Sequence, residues 1–218
     1  MMKYLSRATG MRIGRKRVRR LMRLMGIDAI YPRKRTTIPG NAKHIYPYLL
    51  RKMAIVRPNQ VWAADITYVP MRKGFVYLFA IIDWHSRKIL DWEMSTTLDT
   101  EFCLRCLKRA VIKHGPPEIF NTDQGCQFTS DKWILQLKEY GIAVSMDGKG
   151  RWIDNVVIER FWRTIKYEDI YLKSYENPRL LARGITDYIT RYNSRRPHES
   201  LSDATPDEVY YEQQRKVT

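Results

Sequence analysis

The sequence predicts a mixed α/β domain, in which helices cover a five-stranded sheet, preceded by a small basic helical segment. Two β-branched and aromatic runs, VWAADITYV and FVYLFAIIDW, stand on either side of the turn sequence PMRKG and predict a β-hairpin. The later strand patterns alternate with helical ones, which is typical of an α/β sheet covered by helices. Positive charge is concentrated ahead of the hairpin, so a basic segment precedes a nearly neutral body.

The basic segment contains one predicted helix and most of the net charge of +16. Residues 1–60 hold 16 lysines and arginines against one acid, Asp28. Apolar residues recur at helical spacing from Val18 to Met25, and Gly26 is placed to end the helix. This pattern favours a DNA-binding role over a solubilising tail. The cations that we expect to contact DNA phosphates are Arg15, Arg17, Arg19, Arg20 and Arg23.

Residues 37–58 and the start of the body follow in order. The segment 37–58 has three prolines and scattered cations and predicts a linker. The body, residues 59–213, continues beyond the hairpin with a third strand in KILDWEMS. We expect Thr100 to cap a helix that ends at Gly115, and EIFNTD to form a short strand that ends at Asp123.

The remaining elements are mostly helical. Ser130 is placed to begin a helix, and IAVSM predicts the fifth strand. A helix that carries Glu159 follows the glycine-containing loop DGKG. Pro178 occupies the first position of a longer helix, and the sequence from Thr205 to Glu208 predicts a capped short helix near the end of the chain.

Glu159 stands on the polar side of its predicted helix. An apolar arc covers the opposite side and comprises Ile153, Val157, Ile158, Phe161, Trp162 and Ile165. Asn155, Arg163 and Lys166 flank the glutamate, and Asp154 is placed to cap the helix. Taken alone, this arrangement favours a solvated polar face, since charged helix faces are usually solvated.

Two aspartates change that interpretation. Asp65 interrupts a strand of apolar and β-branched residues, where a lone carboxylate is costly unless a metal or a donor satisfies it. Asp123 lies where a strand ends, the usual place for functional groups in α/β sheets. A strand-edge residue and a turn former are the plainer alternatives. Asp83 competes with Asp65, but the His85-Ser86-Arg87 sequence that follows it favours a turn-stabilising role. Three carboxylates on adjoining elements would suit Mg²⁺ or Mn²⁺.

Four sequence blocks resemble a bacterial insertion-sequence transposase, specifically the second-frame (OrfB) protein of the family with a retroviral-integrase-like core. The blocks are DIT at 65–67, TDQGCQFTS at 122–130, DGKGRWIDNVVIERFWRTIKYE at 147–168 and YNSRRPHESL at 192–201. Asp123 and Glu159 are separated by 35 residues, which is the family's spacing for its second and third acidic residues. The resemblance extends from about residue 10 to residue 212.

The resemblance implies a ribonuclease-H-like fold and a metal-dependent DNA transposase. It carries the catalytic, metal-holding triad onto Asp65, Asp123 and Glu159, with two Mg²⁺ or Mn²⁺ ions. Lys166 matches the basic residue that holds transposon-end DNA, and residues 1–36 resemble a partial helix-turn-helix segment. The implied partners are double-stranded DNA at the terminal repeats and target, further copies of the chain, and the first-frame (OrfA) protein.

Further DNA contacts are expected from residues near the glutamate and in the last block. Arg163 and Asn155 lie near Glu159 in the sequence, whereas Arg196 and His198 follow the long helix. For Arg196 and His198, a polar helix cap is an equal alternative to DNA binding.

Two rival functions remain open at the level of sequence. The chain could be a truncated, catalytically silent DNA-binding remnant that represses transposition, or a ribonuclease-H-like hydrolase of RNA–DNA hybrids. Three cysteines, no signal peptide and no membrane-length apolar run predict a cytoplasmic, nucleoid-associated protein with no membrane partner. Cys103 and Cys106 fit helical core packing better than a metal site.

Overall fold

The computed structural model describes Leu5 and residues 9–26, 45–72, 74–147 and 156–215. Predictions made for Ile153, Asp154 and Asn155 therefore lie outside the described residues. The chain divides into two compact units, residues 1–39 and 40–218. Among the described residues, no helix is both long and apolar enough to cross a membrane.

The first unit contains helix α1, Arg15–Leu24. Gly26 follows its end at a φ of 63°, a conformation that glycine adopts without steric cost, as its placement in the sequence predicted. Val18 is buried, whereas Leu21 and Met25 are exposed. The five arginines predicted to contact DNA are also exposed on this helix.

The second unit is built on a mixed five-stranded sheet in the order β3-β2-β1-β4-β5. The strands are β1 (Val61–Pro70), β2 (Phe75–Asp83), β3 (Ile89–Ser95), β4 (Ile119–Thr122) and β5 (Ala143–Met146). β1, β2 and β3 pair antiparallel, as the predicted hairpin requires, while β4 pairs parallel to both β1 and β5. Parallel neighbours need crossover connections, which helices supply here.

The helices of this unit occupy the predicted parts of the sequence. They are α2 (Glu101–His114), α3 (Asp131–Glu139), α4 (Val156–Ile165), α5 (Tyr171–Lys173), α6 (Pro178–Arg195) and α7 (Pro206–Arg215). A π-helical stretch, Lys166–Ile170, joins α4 to α5, and a 3₁₀ turn, Glu199–Leu201, precedes α7.

One predicted helix cap is wrong. Thr100 has helical backbone angles and makes no side-chain capping bond. The Asp99 carboxylate instead accepts from the Phe102 N–H at 3.2 Å, because a capping residue normally has non-helical angles and Thr100 already adopts helical ones. At α7 the predicted cap is present: Thr205 Oγ1 accepts from Glu208 N, and the Glu208 carboxylate accepts from Thr205 N.

Two apolar cores lie on opposite faces of the sheet. On one face, Trp62 and Ala64 of β1 pack with residues of α2 and α3, including Trp133, and with Tyr210 of α7. On the other face, Ala63 and Val69 of β1 pack with α4 and α6. Because side chains alternate along a strand, odd-numbered residues of β1 face α4.

The segment immediately before β1 packs on this unit. Leu50 is buried with Val61 and Ile119, and Leu49 N–H donates to Ser145 Oγ at 3.0 Å. Residues 45–58 therefore contribute contacts to the sheet ends at β1, β4 and β5.

Candidate active site

Asp65 lies in the middle of β1, on the face that α4 covers. It pairs with Ala80 of β2, and its side chain is partly buried. Its Oδ1 accepts from the Ile66 N–H at 2.8 Å, and its Oδ2 accepts from Trp162 Nε1 at 3.0 Å. The carboxylate therefore has two donors, which is how the fold tolerates it in a strand interior.

Asp123 follows the last residue of β4 and begins a tight turn. Its Oδ1 accepts from the Gly125 N–H at 2.9 Å. A Cβ at position 125 would lie 2.9 Å from this same oxygen and 3.4 Å from Phe128 Cδ2. Glycine thus permits the carboxylate to lie against the turn backbone at a distance that a larger residue would obstruct.

The strand register brings these two aspartates to one level of the sheet. β1 and β4 pair in parallel with Val61 opposite Ile119 and Ala63 opposite Asn121. Extending that offset by two residues sets Asp65 level with Asp123. Adjacent strands lie about 4.8 Å apart, so the two carboxylates occupy neighbouring positions at the carboxyl end of β4.

Helix α4 supplies the third carboxylate, and two residues at its C-terminal end and just beyond it contact β1. Trp162 of α4 and Lys166, the first residue of the π-helical stretch, are four residues apart and reach Asp65 and Thr67, two residues apart on one side of the strand. Lys166 Nζ donates to Thr67 Oγ1 at 2.6 Å. Glu159 is exposed, one turn before Trp162, and is close enough to influence the titration of Asp65.

The electrostatics of the cluster disfavour an ionised Asp65. Burial and the charge of Asp123 raise the pKa of Asp65 from 3.8 to about 7; bonds from Ile66 and Trp162 oppose this rise, and Glu159 adds to it. Desolvation of the carboxylate within the tight turn also raises the pKa of Asp123, although the residue as a whole is exposed. The hydrogen bond from the Gly125 N–H opposes this rise. Burial lowers the pKa of Lys166, against the attraction of Asp65.

The donor chemistry fits a hard divalent cation. Carboxylate oxygens are the ligands that Mg²⁺ and Mn²⁺ prefer, and a cation between mutually repelling carboxylates would favour their ionised forms. Within the described ranges, no three Asp, Glu, His or Cys side chains are grouped closely enough to hold one ion. Asp123 and Glu159 thus influence the titration of Asp65, but among the described residues the three carboxylates do not form a closed coordination shell.

Other candidates have structural roles. Asp83 is fully buried; it accepts from Asn59 N–H at 2.8 Å and from both the N–H and Oγ of Ser86. This is the turn-stabilising role predicted for it. Cys103 and Cys106 are buried in α2, and burial raises the pKa of both thiols, as expected for core cysteines.

The remaining predicted DNA contacts fall into two places. Arg163, Arg196 and His198 all line one cavity beside α4. The arginines of α1 belong to the first unit. Arg196 also forms an ion pair with Glu168, and the His198 ring contacts the edge of Tyr192.

Sequence reasoning missed several polar residues around the site. Trp162 was interpreted as packing alone, although its Nε1 holds Asp65. Asn121 links Ser145 Oγ and Asp147 Oδ1, at 2.8 Å each, across β4 and β5. The sequence could have indicated this role of Trp162, because the residue lies one turn beyond Glu159. A buried indole N–H also needs a hydrogen-bond acceptor.

Comparison with known proteins identifies the class of this core. A family model described as an integrase core domain matches residues 56–151, and another with that description matches residues 140–206. The fold is similar to the HTLV-2 integrase catalytic core in complex with magnesium, with a TM-score of 0.58 and 20% identity, over 71% of this chain and 97% of that one. The BIV integrase core gives a TM-score of 0.58 and 18% identity, over 72% and 97%. The predicted fold class is confirmed.

Sequence relatives identify the family. The transposase for insertion sequence element IS904 of Lactococcus lactis is 36% identical over 205 residues, covering 91% of this chain and 81% of the relative. The transposase for IS629 of Shigella sonnei is 33% identical over 203 residues, covering 92% and 69%. A model described as an HTH-like domain matches residues 1–35. The chain belongs to the insertion-sequence transposases with an integrase core, a family of proteins of DNA transposition.

Proposed function

We propose that this chain cleaves DNA at insertion-sequence ends and transfers the cut strand to target DNA, with Asp65, Asp123 and Glu159 holding two Mg²⁺ or Mn²⁺ ions. The observation that supports this most is the parallel register of β1 and β4, which sets Asp65 level with Asp123; burial and the charges of Asp123 and Glu159 accordingly raise the pKa of Asp65. A bound cation would compensate the negative charge that the cluster concentrates around Asp65, which its two hydrogen-bond donors only partly offset. When bound, divalent ions polarise a phosphodiester and activate an attacking oxygen.

The protein groups around the carboxylates have positioning roles in this proposal. Trp162 fixes the Asp65 carboxylate by donating to Oδ2, and the Gly125 N–H fixes Asp123. Lys166, held by Thr67, presents a positive charge on the face of α4 that carries Glu159 and would neutralise a phosphate next to the scissile bond. No side chain needs to form a covalent bond to DNA.

The proposal also assigns roles to the rest of the chain. Residues 1–36 would bind duplex DNA through the arginines of α1, residues 37–58 would link them to the core, and residues 59–213 would hold the catalytic site. Because two element ends must be joined to one target, we propose that the protein acts as a homo-oligomer on DNA. The first-frame OrfA protein is a further proposed partner in end recognition.

The test is a joining assay with the purified full-length chain. A linear duplex that ends in the element's own inverted repeat is incubated with supercoiled target DNA in Mg²⁺ or Mn²⁺, and nicked and joined products are measured. We expect products that disappear in EDTA and in Glu159→Gln. Glu212→Gln makes the same chemical change at an exposed residue of α7 and should retain activity.

Two results would contradict the proposal. Equal product from Glu159→Gln and the Glu212→Gln control would remove the glutamate from the chemistry. Binding to the terminal repeat without product in either metal would favour the alternative function, a DNA-binding repressor.

A further inference from the structure

A cavity of about 340 Å³ beside α4 concentrates positive charge outside the carboxylate cluster. Its basic and hydroxyl side chains come from three parts of the second unit: the turn between β2 and β3, helix α4, and the segment that follows α6. These side chains are Arg87, Arg160, Arg163, Thr164, Arg196, His198 and Ser200. Trp84, Phe161 and Tyr192 contribute aromatic lining.

The cations in this cavity are only partly compensated. Arg196 pairs with Glu168. Within the described part of the chain, no carboxylate forms an ion pair with Arg87, Arg160 or Arg163. Asp83 is close enough to favour the charged form of Arg87, but all its hydrogen bonds named above go to Asn59 and Ser86.

Two buried nitrogens that belong to residues lining the cavity also have no hydrogen-bond partner among the described residues. They are Nη1 of Arg87 and Nε2 of His198. Burial lowers the pKa of Arg87 and that of His198, and nearby guanidinium groups lower both further. A buried donor without an acceptor costs free energy, and so does an uncompensated cation, so the protein alone leaves the cavity in an unfavourable state.

Phosphate oxygens would provide both the missing hydrogen-bond acceptors and the missing negative charge. Guanidinium groups bind phosphate through parallel N–H donors, and the anion would supply an acceptor for Nη1 of Arg87 and for Nε2 of His198 in the tautomer that protonates this nitrogen. Arg160 and Arg163 belong to the same helix as Glu159, one and four residues further along. The rise of a helix is about 1.5 Å per residue, so the cavity lies within about one helical turn of the third carboxylate.

We propose that this cavity binds a backbone phosphate of DNA that lies outside the scissile position. The inference rests on the proposed function, because it makes the cavity a second phosphate-binding site for the same DNA. It assigns a DNA-binding role to Arg87 and Arg160, which the sequence motifs did not indicate, and it gives Arg196 and His198 a shared ligand. The phosphate belongs either to the element's end or to the target, and both sources have the same chemistry.

The test is the salt dependence of DNA binding by full-length Arg160→Gln, measured by fluorescence anisotropy in EDTA on a Glu159→Gln background. Chemistry is absent under these conditions, so failure of the catalytic proposal does not affect the readout. Arg160 is exposed on α4, and glutamine retains helix propensity. The matched control is Arg183→Gln, an exposed arginine of α6 that does not line the cavity.

Loss of one phosphate contact reduces the slope of log affinity against log salt by about 0.9 and weakens binding. We expect this reduction for Arg160→Gln and an unchanged slope for Arg183→Gln. Measurements on duplexes with and without the inverted repeat distinguish the source of the phosphate. A reduced slope on both duplexes indicates binding to any DNA backbone, whereas a reduced slope on the repeat alone indicates binding to the element's end. Equal salt slopes for Arg160→Gln and Arg183→Gln would overturn the proposal. So would a result in which Arg160→Gln abolishes binding of inorganic phosphate but leaves DNA binding unchanged.

Discussion

Replacing Asp65 with asparagine tests whether repulsion and burial in the carboxylate cluster destabilise the folded protein, and whether a bound cation removes that destabilisation. Asparagine has nearly the same volume and keeps an oxygen that can accept from the Ile66 N–H or Trp162 Nε1. It removes the charge that burial and Asp123 disfavour. The expected effect is therefore a change in how stability depends on pH, with the fold retained.

The sign and size of the effect follow from the pKa of Asp65. Because the folded-state pKa is raised from 3.8 to about 7, the stabilising contribution is fully present below pH 3.8 and is lost as the pH rises through 7. One pKa unit corresponds to about 1.4 kcal/mol, so linkage gives a loss of roughly 2–3 kcal/mol between about pH 5 and pH 8. The asparagine variant lacks this loss.

The measurement is chemical unfolding of both proteins in EDTA at several pH values across that interval. We expect the stability of the wild type, relative to Asp65→Asn, to fall with rising pH, and Mg²⁺ to restore it at about pH 8, where binding to the ionised cluster favours the folded state. Asp187→Asn, which removes an exposed carboxylate on α6, should follow the wild-type curve. Parallel curves for wild type and Asp65→Asn would refute the assigned electrostatics.

Three further substitutions test the contacts around the carboxylates. Trp162→Phe removes the donor to Asp65 while keeping an aromatic ring, so the pKa of Asp65 should rise further and strand transfer should need more Mg²⁺, measured as a metal titration of joined product. Gly125→Ala places a methyl group 2.9 Å from an Asp123 oxygen, and we expect activity to fall at least tenfold with folding retained by circular dichroism; unchanged activity would show that the turn adapts. Lys166→Ala should reduce the salt slope of binding to terminal-repeat DNA by about 0.9, and an unchanged slope would exclude a phosphate contact there.

Much of the fold could be predicted because its local signals agree with the tertiary structure. The hairpin required only alternation and a turn sequence, and Gly26, Ser130 and Pro178 occupy helix ends for reasons local to the backbone. Thr100 shows where this reasoning fails. Several capping residues occur together at the start of α2, and only the φ and ψ angles decide that Asp99 supplies the oxygen.

The site was less predictable, because its polar contacts join distant parts of the chain. A wheel of α4 places Glu159 and Lys166 on one face, but it does not show that Trp162 reaches β1. The bond between Trp162 and Asp65 spans 97 residues of sequence, and that between Lys166 and Thr67 spans 99. Such pairs depend on how a helix crosses a strand, which no local pattern encodes.

The cavity was inaccessible to sequence reasoning for the same reason. Arg87, Arg160 and His198 are separated by tens of residues, and each alone is consistent with a solvated surface cation. The unpartnered nitrogens of Arg87 and His198 become visible only when the turn after β2 and the segment after α6 meet α4. Among the described residues, the cavity assembles more cations than carboxylates compensate, and such an excess indicates an external anion more strongly than any single basic residue does.

Helix α4 connects the two parts of the proposed DNA-binding surface. One side of α4 contacts β1 through Trp162 and carries Glu159, and Lys166, directly after the helix, contacts the same strand. Arg160 on the flank of α4 lines the basic cavity. Because one rigid helix holds both groups, its position on the strand sets the distance between the carboxylates and a phosphate bound in the cavity. Weakening the contact between Trp162 and Asp65 should therefore alter the alignment of the DNA as well as the affinity for metal, and the two effects should appear together.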